Sequence, residues 1–429
     1  MSARRGALLL AAGACCAAAL LLLGLRQEET VLRLGLYVGS DWDAPYSDYY
    51  DMADAAVARF EEAHPGVRVE YVSGVRQEDY SEWLAAQALT GRLPDVFLVL
   101  DSDFQRYISI GALAELDQFA ARDKGFSPEK YYPAAFEAGK MGDKLYALPI
   151  QSATTMMFYN KTLLEAAGID PPGQDWTWDT FYEICKQVTN PDAGCPSGQS
   201  GCYGYQWEYA VASNGAEAVD KAGTECYFDD IRVEEAVRFC RRLYQLDGGH
   251  RTTEQDFLDG RVAFRVMNLT DYRMMEYYPL GLLGQQNFEW GYLRMPAGPQ
   301  GGNISCLETR VAAVSARSPH KDLAWELLTL LSYDPEVQSV LYEGSEGTAV
   351  LRIDEWDKEL YAHAAAELRL DAELLDQVMD EAVELPKYET YRQTLGIADE
   401  RLASVFYGDA DISATLMALQ REILAYLRS

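Results

Sequence analysis

Apolar and polar residues alternate from Val31 to Val38, with Leu32, Leu34 and Leu36 on one face, which predicts a strand laid on a core. After the loop Ser40–Tyr46, the apolar spacing changes to that of a helix through Tyr49, Ala53, Ala56, Val57 and Phe60, stopped at Pro65-Gly66. Val67, Val69 and Tyr71 predict a second strand, Tyr80 to Leu89 a helix ending near Gly91, and Asp95 to Leu100 a strand buried on both faces. Strands and helices repeating at this spacing imply a parallel sheet covered by helices. Ligands of such sheets sit beyond the carboxyl ends of the strands, which singles out the loops Ser40–Tyr46 and Asp101–Phe104.

The pattern changes at Tyr146–Tyr159, a long apolar stretch with no helix start. Pro149 is expected to keep it extended or at an edge, away from a central ladder position. Asn160 is placed to cap a short helix carrying Leu163, Leu164 and Ala167, with Gly168 as its stop. Beyond Pro171-Pro172, Thr177 is placed to cap a second helix with Phe181, Ile184, Cys185 and Val188 on one face. A strand that leaves one unit and opens into a helix-rich one predicts two lobes. Phe288–Pro296 reads as the strand returning to the first lobe and Arg310–Ser315 as a further strand. Ser318 reads as a cap with Pro319 at the first helical position, and Ile412, Leu416, Leu419, Ile423 and Leu427 as a closing helix. The expected organisation is an N-terminal signal or membrane anchor (1–30), lobe 1 (31–154 plus 293–341) and lobe 2 (155–292 plus 342–429).

At 429 residues and 48% hydrophobic, the chain is long enough for two cores. A net charge of −30 excludes general nucleic-acid binding, because no basic excess replaces phosphate counterions, and argues against adsorption to anionic lipid. Arg4 and Arg5 precede an apolar run, Gly6–Leu25, of about the length that spans a bilayer. Within it, Ala12-Gly13-Ala14-Cys15 resembles a lipobox, so Cys15 is a candidate lipid anchor; an uncleaved transmembrane anchor is the other reading. Both place the rest of the chain at the outer face of a bacterial cytoplasmic membrane, where disulfides form. Cys195 and Cys202, flanking a turn-rich Pro-Ser-Gly-Gln-Ser-Gly loop, are the candidate pair. His64, His250, His320 and His363 are scattered with no ligand spacing, so no metal is expected.

The sequence carries no nucleophile elbow, zinc-protease helix, phosphate-binding loop or dinucleotide fingerprint, and so gives no argument for an enzyme or a cofactor. It does carry an ordered series of short motifs: FEEAHPGVRVEYV, LPDVFLVL, GALAELDQF, YALP, YNK, AGI, WTWD and FLDGRVAF, then Ala313, Val314, Ser318, Lys321, Ala324 and Trp325. Over about Val31 to Ser429 this order resembles family 1 extracellular solute-binding proteins, the capture subunits of carbohydrate ABC importers. Where that family usually has a Gly-Gly-x-Trp turn, this chain has Met267 to Tyr272; Pro386–Tyr391 resembles the family's late proline–tyrosine segment loosely.

The resemblance implies a type II periplasmic-binding-protein-like α/β fold, a hinge of several crossings, a carbohydrate ligand, an ABC permease partner, monomeric action and no nucleic acid. Sugar rings stack on aromatic faces while their hydroxyls need fixed polar partners. The candidate ligand-binding residues are accordingly Trp42 and Asp43, Asp101 and Ser102, Gln151 and Ser152 on the crossing strand, Trp207 and Tyr209, Asp271 and Tyr272, and Tyr388. Closure of two lobes on the ligand requires contacts from both. Alternatives are a glycerol phosphate ester, a peptide, or a sensor that presents ligand to a membrane kinase. A phosphate ester would call for Arg or Lys in the cleft, and these loops offer few.

Overall fold

The computed structural model describes residues 29–39, 49–72, 74–189, 198–246, 252–277, 288–343, 347–353, 356–368 and 371–428. Residues 1–28, with the expected anchor and Cys15, lie outside this set, as do Trp42, Asp43 and Cys195. Among the described residues no helix is long and apolar enough to cross a membrane.

The first lobe begins as its pattern predicts, with β1 (Thr30–Gly35), helix Tyr49–Ala63, β2 (Val67–Val72), helix Gln77–Thr90 and β3 (Val96–Val99). β1 lies between β2 and β3, parallel to both. All four residues of β3 are buried, as expected of a strand covered on both faces. Gly91 ends the second helix in the left-handed conformation at φ 67°, which a Cβ would disfavour. Asp101–Phe104 is not a loop, however. It is the first turn of helix Asp101–Ser109, where the carboxylates of Asp101 and Asp103 complement the positive end of the helix dipole.

After the hairpin β4 (Lys140–Met141) and β5 (Lys144–Leu145) comes β6 (Ala147–Asn160), fourteen residues long and buried throughout. There follow β7 (Ser200–Tyr203), β8 (Val262–Asn268), β9 (Trp290–Leu293), β10 (Cys306–Val314) and β11 (Val383–Glu384). They complete one nine-stranded sheet in the order β2-β1-β3-β10-β6-β8-β7, with β11 on β10 and β9 on β6. β6 is the seam. Its residues from Ala147 to Thr154 pair with β10, and those from Thr155 onward pair with β8 and β9. Its side chains divide as well: Met156 and Phe158 join the first core, Met157 and Tyr159 the second.

The structure departs from the sequence expectations at three further places. Pro149 does occupy a central strand. It faces Val311 where the ladder slips by one residue between Arg310 and Val311, and its carbonyl accepts a hydrogen bond from the Ser332 hydroxyl, so its missing N–H costs no regular ladder bond. Phe288–Pro296 lies between the two cores, with Trp290 and Tyr292 packed on the first and Leu293 and Met295 buried in the second. β9 pairs with the far half of β6, and the loop after it is held to the second core by Gly298 N–H to the Ser213 carbonyl (2.9 Å) and Asn303 Nδ2 to the Trp176 carbonyl (2.8 Å). β10 makes the return. Ser318 does not cap the following helix, which starts at Lys321; its hydroxyl donates to Asp95 instead.

The second unit follows its pattern closely. Asn160 accepts from the Leu163 N–H (2.9 Å), and Thr177 caps helix Trp178–Val188, whose Phe181, Ile184, Cys185 and Val188 are buried. Helices Ile231–Tyr244 and Ile412–Leu427 bury Val237, Cys240 and Leu243, and Leu416, Leu419 and Ile423. Cys202 is a free thiol, and its expected partner, Cys195, lies outside the described residues.

Candidate functional site

A cavity of about 430 Å³ opens between the two cores. From the first unit it is lined by Gln77, Leu100, Asp101 and Ser102; from the second by Gln206, Glu208 and Tyr209. Glu308 and Arg310 of β10 and the segment Glu384–Leu395 close its floor. It therefore lies at the carboxyl end of β3, where open α/β sheets take ligands. A smaller annex of about 70 Å³ shares Tyr209, Glu308 and Leu385 with it and adds Thr155, Asn268 and Asp271.

The floor of the cavity is a compensated charge network. Arg310 Nη1 lies 2.8 Å from Asp101 Oδ2, and Lys387 Nζ lies 3.1 Å from both Asp101 Oδ1 and Glu384 Oε1. Glu384 also accepts from the Thr309 hydroxyl at 2.7 Å and N–H at 3.2 Å, and Lys387 donates to the Thr309 carbonyl. Burial alone would raise the Asp101 carboxyl, but Lys387 and then Arg310 outweigh it and hold it below its usual value. Burial pushes Glu384 up to about 6 despite Lys387 and Thr309. Burial opposes the charge on Lys387, yet Asp101 and Glu384 keep its pKa raised. Both cations of the floor are thus answered from within the protein, and a third, Arg392, lines the cavity as an exposed side chain.

Uncommitted polarity sits on the opposite wall. Burial pushes Glu208, in the first turn of helix Trp207–Ser213, up to about 7, and its Oε2 is shielded from solvent with no hydrogen-bond partner. Burial also raises Asp271, against the pull of Arg265. Tyr209 and Tyr391 supply aromatic surface, and the Tyr388 ring stands edge-on to Tyr391 at 5.3 Å. Tyr388 itself sits under Gly223 (φ +67°), whose backbone approaches so closely that a Cβ would lie 2.5 Å from the ring. Across the rim, Gln105 Nε2 donates to the Ala222 carbonyl at 3.1 Å, linking the two units.

The candidate residues fall into distinct places. Asp101, Ser102, Tyr209 and Tyr388 line the cavity and Asp271 the annex. Gln151 and Ser152 are buried in β6: Gln151 packs beneath Gly347, and Ser152 Oγ lies 3.1 Å from Thr309 Oγ1. Trp207 is buried in the second core with its indole N–H donating to Asp399 (2.8 Å). Tyr272 is stacked on Phe158 with ring centres 5.4 Å apart. Sequence reasoning missed Glu308, Arg310, Glu384, Lys387 and Tyr391. The signal that could have found Glu308 and Arg310 is their i, i+2 spacing in a mainly apolar strand, a period that puts both on one face.

The pattern of the bacterial extracellular solute-binding protein family matches residues 44–335, and the chain belongs to that family. An uncharacterized lipoprotein from the oleD 5′ region of Streptomyces antibioticus is 25% identical over 299 residues, covering 64% of this chain and 62% of its own length. The arabinooligosaccharide-binding protein of Bacillus subtilis (strain 168) is 24% identical over 334 residues, covering 75% of this chain and 71% of its own. The sugar-binding protein MalE of Xanthomonas citri shares the fold at a TM-score of 0.75 and 19% identity, covering 93% of this chain and 98% of its own.

Proposed function

We propose that the cavity captures an uncharged carbohydrate, an oligosaccharide, and that the chain delivers it to the permease of an ABC importer without chemical turnover. The observation that carries this reading is the charge balance of the cavity floor. Arg310 and Lys387 are answered by Asp101 and Glu384, so the floor offers no free cation to an anionic solute and Arg392, exposed, is the one further cation of the lining, while Glu208, Asp271, Tyr209 and Tyr391 offer hydroxyl partners and ring faces. The oligosaccharide named for the Bacillus relative and the sugar named for the Xanthomonas structure agree with it.

In this reading the two lobes close about β6 and β10, and ligand favours closure because each lobe supplies lining residues. The chain acts as a monomer at the outer face of the membrane, tethered through Gly6–Leu25 or a lipid on Cys15, as the lipoprotein named for the Streptomyces relative supports. Thermal unfolding of the full chain in detergent against neutral oligosaccharides, sugar phosphates and peptides tests the proposal. At about 100 times its dissociation constant a saccharide stabilises by about 2.7 kcal/mol. A response to sugar phosphates or peptides alone would overturn the carbohydrate reading.

A further inference from the structure

At the opposite end of the first lobe's strands lies a second cavity, of about 360 Å³, which the capture function does not use. Val31 at the start of β1, Asp95 just before β3 and Ser315 just after β10 line it, so it sits at the amino-terminal ends of β1 and β3. Three arginines, Arg33, Arg92 and Arg317, also line it, with His320 beside them. Arg33 Nη1 donates to the Arg92 carbonyl at 2.9 Å, and the Arg317 guanidinium lies against Gly91, so the three are drawn to one place. Among the described residues, none of the three has a carboxylate within ion-pair distance. Asp95, which also lines the cavity, is already engaged: Oδ2 accepts the Arg33 N–H (2.9 Å) and Oδ1 the Ser318 hydroxyl (2.5 Å). The amino terminus of helix Lys321–Tyr333 adds its partial positive charge at the same rim, although Asp322 in the first turn offsets part of it.

Three uncompensated guanidinium groups in one pocket are unusual in a chain with 67 acidic and 37 basic residues. One carboxylate needs one arginine; a phosphate carries about −1.5 to −2 charge and three acceptor oxygens. We propose that this pocket binds a phosphate group. Two sources share that chemistry, a soluble phosphate ester and an anionic lipid headgroup. The apolar run Gly6–Leu25 ends four residues before the first described residues, Glu29 and Thr30, and Val31 lines the pocket. If that run anchors the chain, the pocket lies beside the place where the tether enters the first lobe. A headgroup contact there would add to the anchor rather than replace it.

The test is amide hydrogen exchange of the full chain at residues 91–95 and 315–320. It is run in detergent with inorganic phosphate or glycerol phosphate, with chloride at equal ionic strength as control, and in nanodiscs of phosphatidylcholine with and without phosphatidylglycerol. At about ten times the dissociation constant, binding should slow exchange about tenfold at these segments. The protection should vanish in the Arg92→Glu, Arg317→Glu double variant. Both side chains are exposed, so the fold and the saccharide response should persist in it. Protection by soluble phosphate identifies a soluble ligand; protection only in phosphatidylglycerol nanodiscs identifies a lipid headgroup. No protection in any arm, equal protection by chloride, or protection that survives the double variant overturns the proposal.

Discussion

The first lobe keeps arginine at both ends of its strands, in opposite company. At the carboxyl ends, Arg310 and Lys387 are locked to Asp101 and Glu384 within a buried network. At the amino ends, Arg33, Arg92 and Arg317 face a pocket with no carboxylate of their own among the described residues. The same residue type thus serves two purposes. Compensated, it organises hydrogen-bonding groups for the proposed neutral ligand; uncompensated, it is an electrostatic demand that the proposed anion would meet. A count of charges along the chain distinguishes neither case.

The sharpest way to break this comparison is to unbalance the cleft. Glu384→Ala leaves Lys387 buried with Asp101 as its one remaining carboxylate, and should cost about 3 kcal/mol in urea unfolding. It should also let sugar phosphates bind where they did not before, which calorimetry would detect. A variant as stable as the parent would mean that the network does not hold the floor.

Trp207→Ala should cost a similar amount, about 3 kcal/mol, because the ring is 3% exposed and packs against Phe228. A Trp207 that stacked on ligand would instead give weaker binding with an intact fold, so unfolding and titration of one variant separate the two accounts. Next in size is a pH effect. The Glu208 carboxyl has a higher pKa in the fold (about 7) than its ordinary 4.5, so its contribution to stability is fully present below pH 4.5 and is lost as pH rises through about 7. Glu208→Gln should remove roughly 1–3 kcal/mol of that pH dependence, seen as a flatter plot of unfolding free energy against pH. An unchanged plot would place Glu208 in contact with water. The smallest expected change is Tyr209→Ala, which should weaken saccharide affinity about tenfold, by loss of one stacking face, with little effect on melting.

Much of the architecture was legible in the sequence, because local periodicity reports which face of an element is buried. The caps at Asn160 and Thr177 and the buried run of β3 were read correctly for that reason. What failed were properties that only pairing decides. Pro149 is tolerated in a central strand because the partner ladder slips opposite it, and β9 stays on the far half of β6 because its following loop is bonded to the second core. Of the candidate site, Asp101, Ser102, Tyr209 and Tyr388 were found as polar or aromatic residues after strands. Trp207 and Tyr272 fit the same description but point into cores. Arg310 and Lys387, 77 positions apart in sequence, meet only because β11 pairs beside β10.

The most direct test of the neutral cleft is a calorimetric titration of the full chain with a responding oligosaccharide at low and at high salt, beside its phosphorylated analogue. A floor whose charges are internally compensated predicts an oligosaccharide affinity independent of salt and a clear loss on phosphorylation. Tighter binding of the phosphorylated sugar, weakened by salt, would contradict the account.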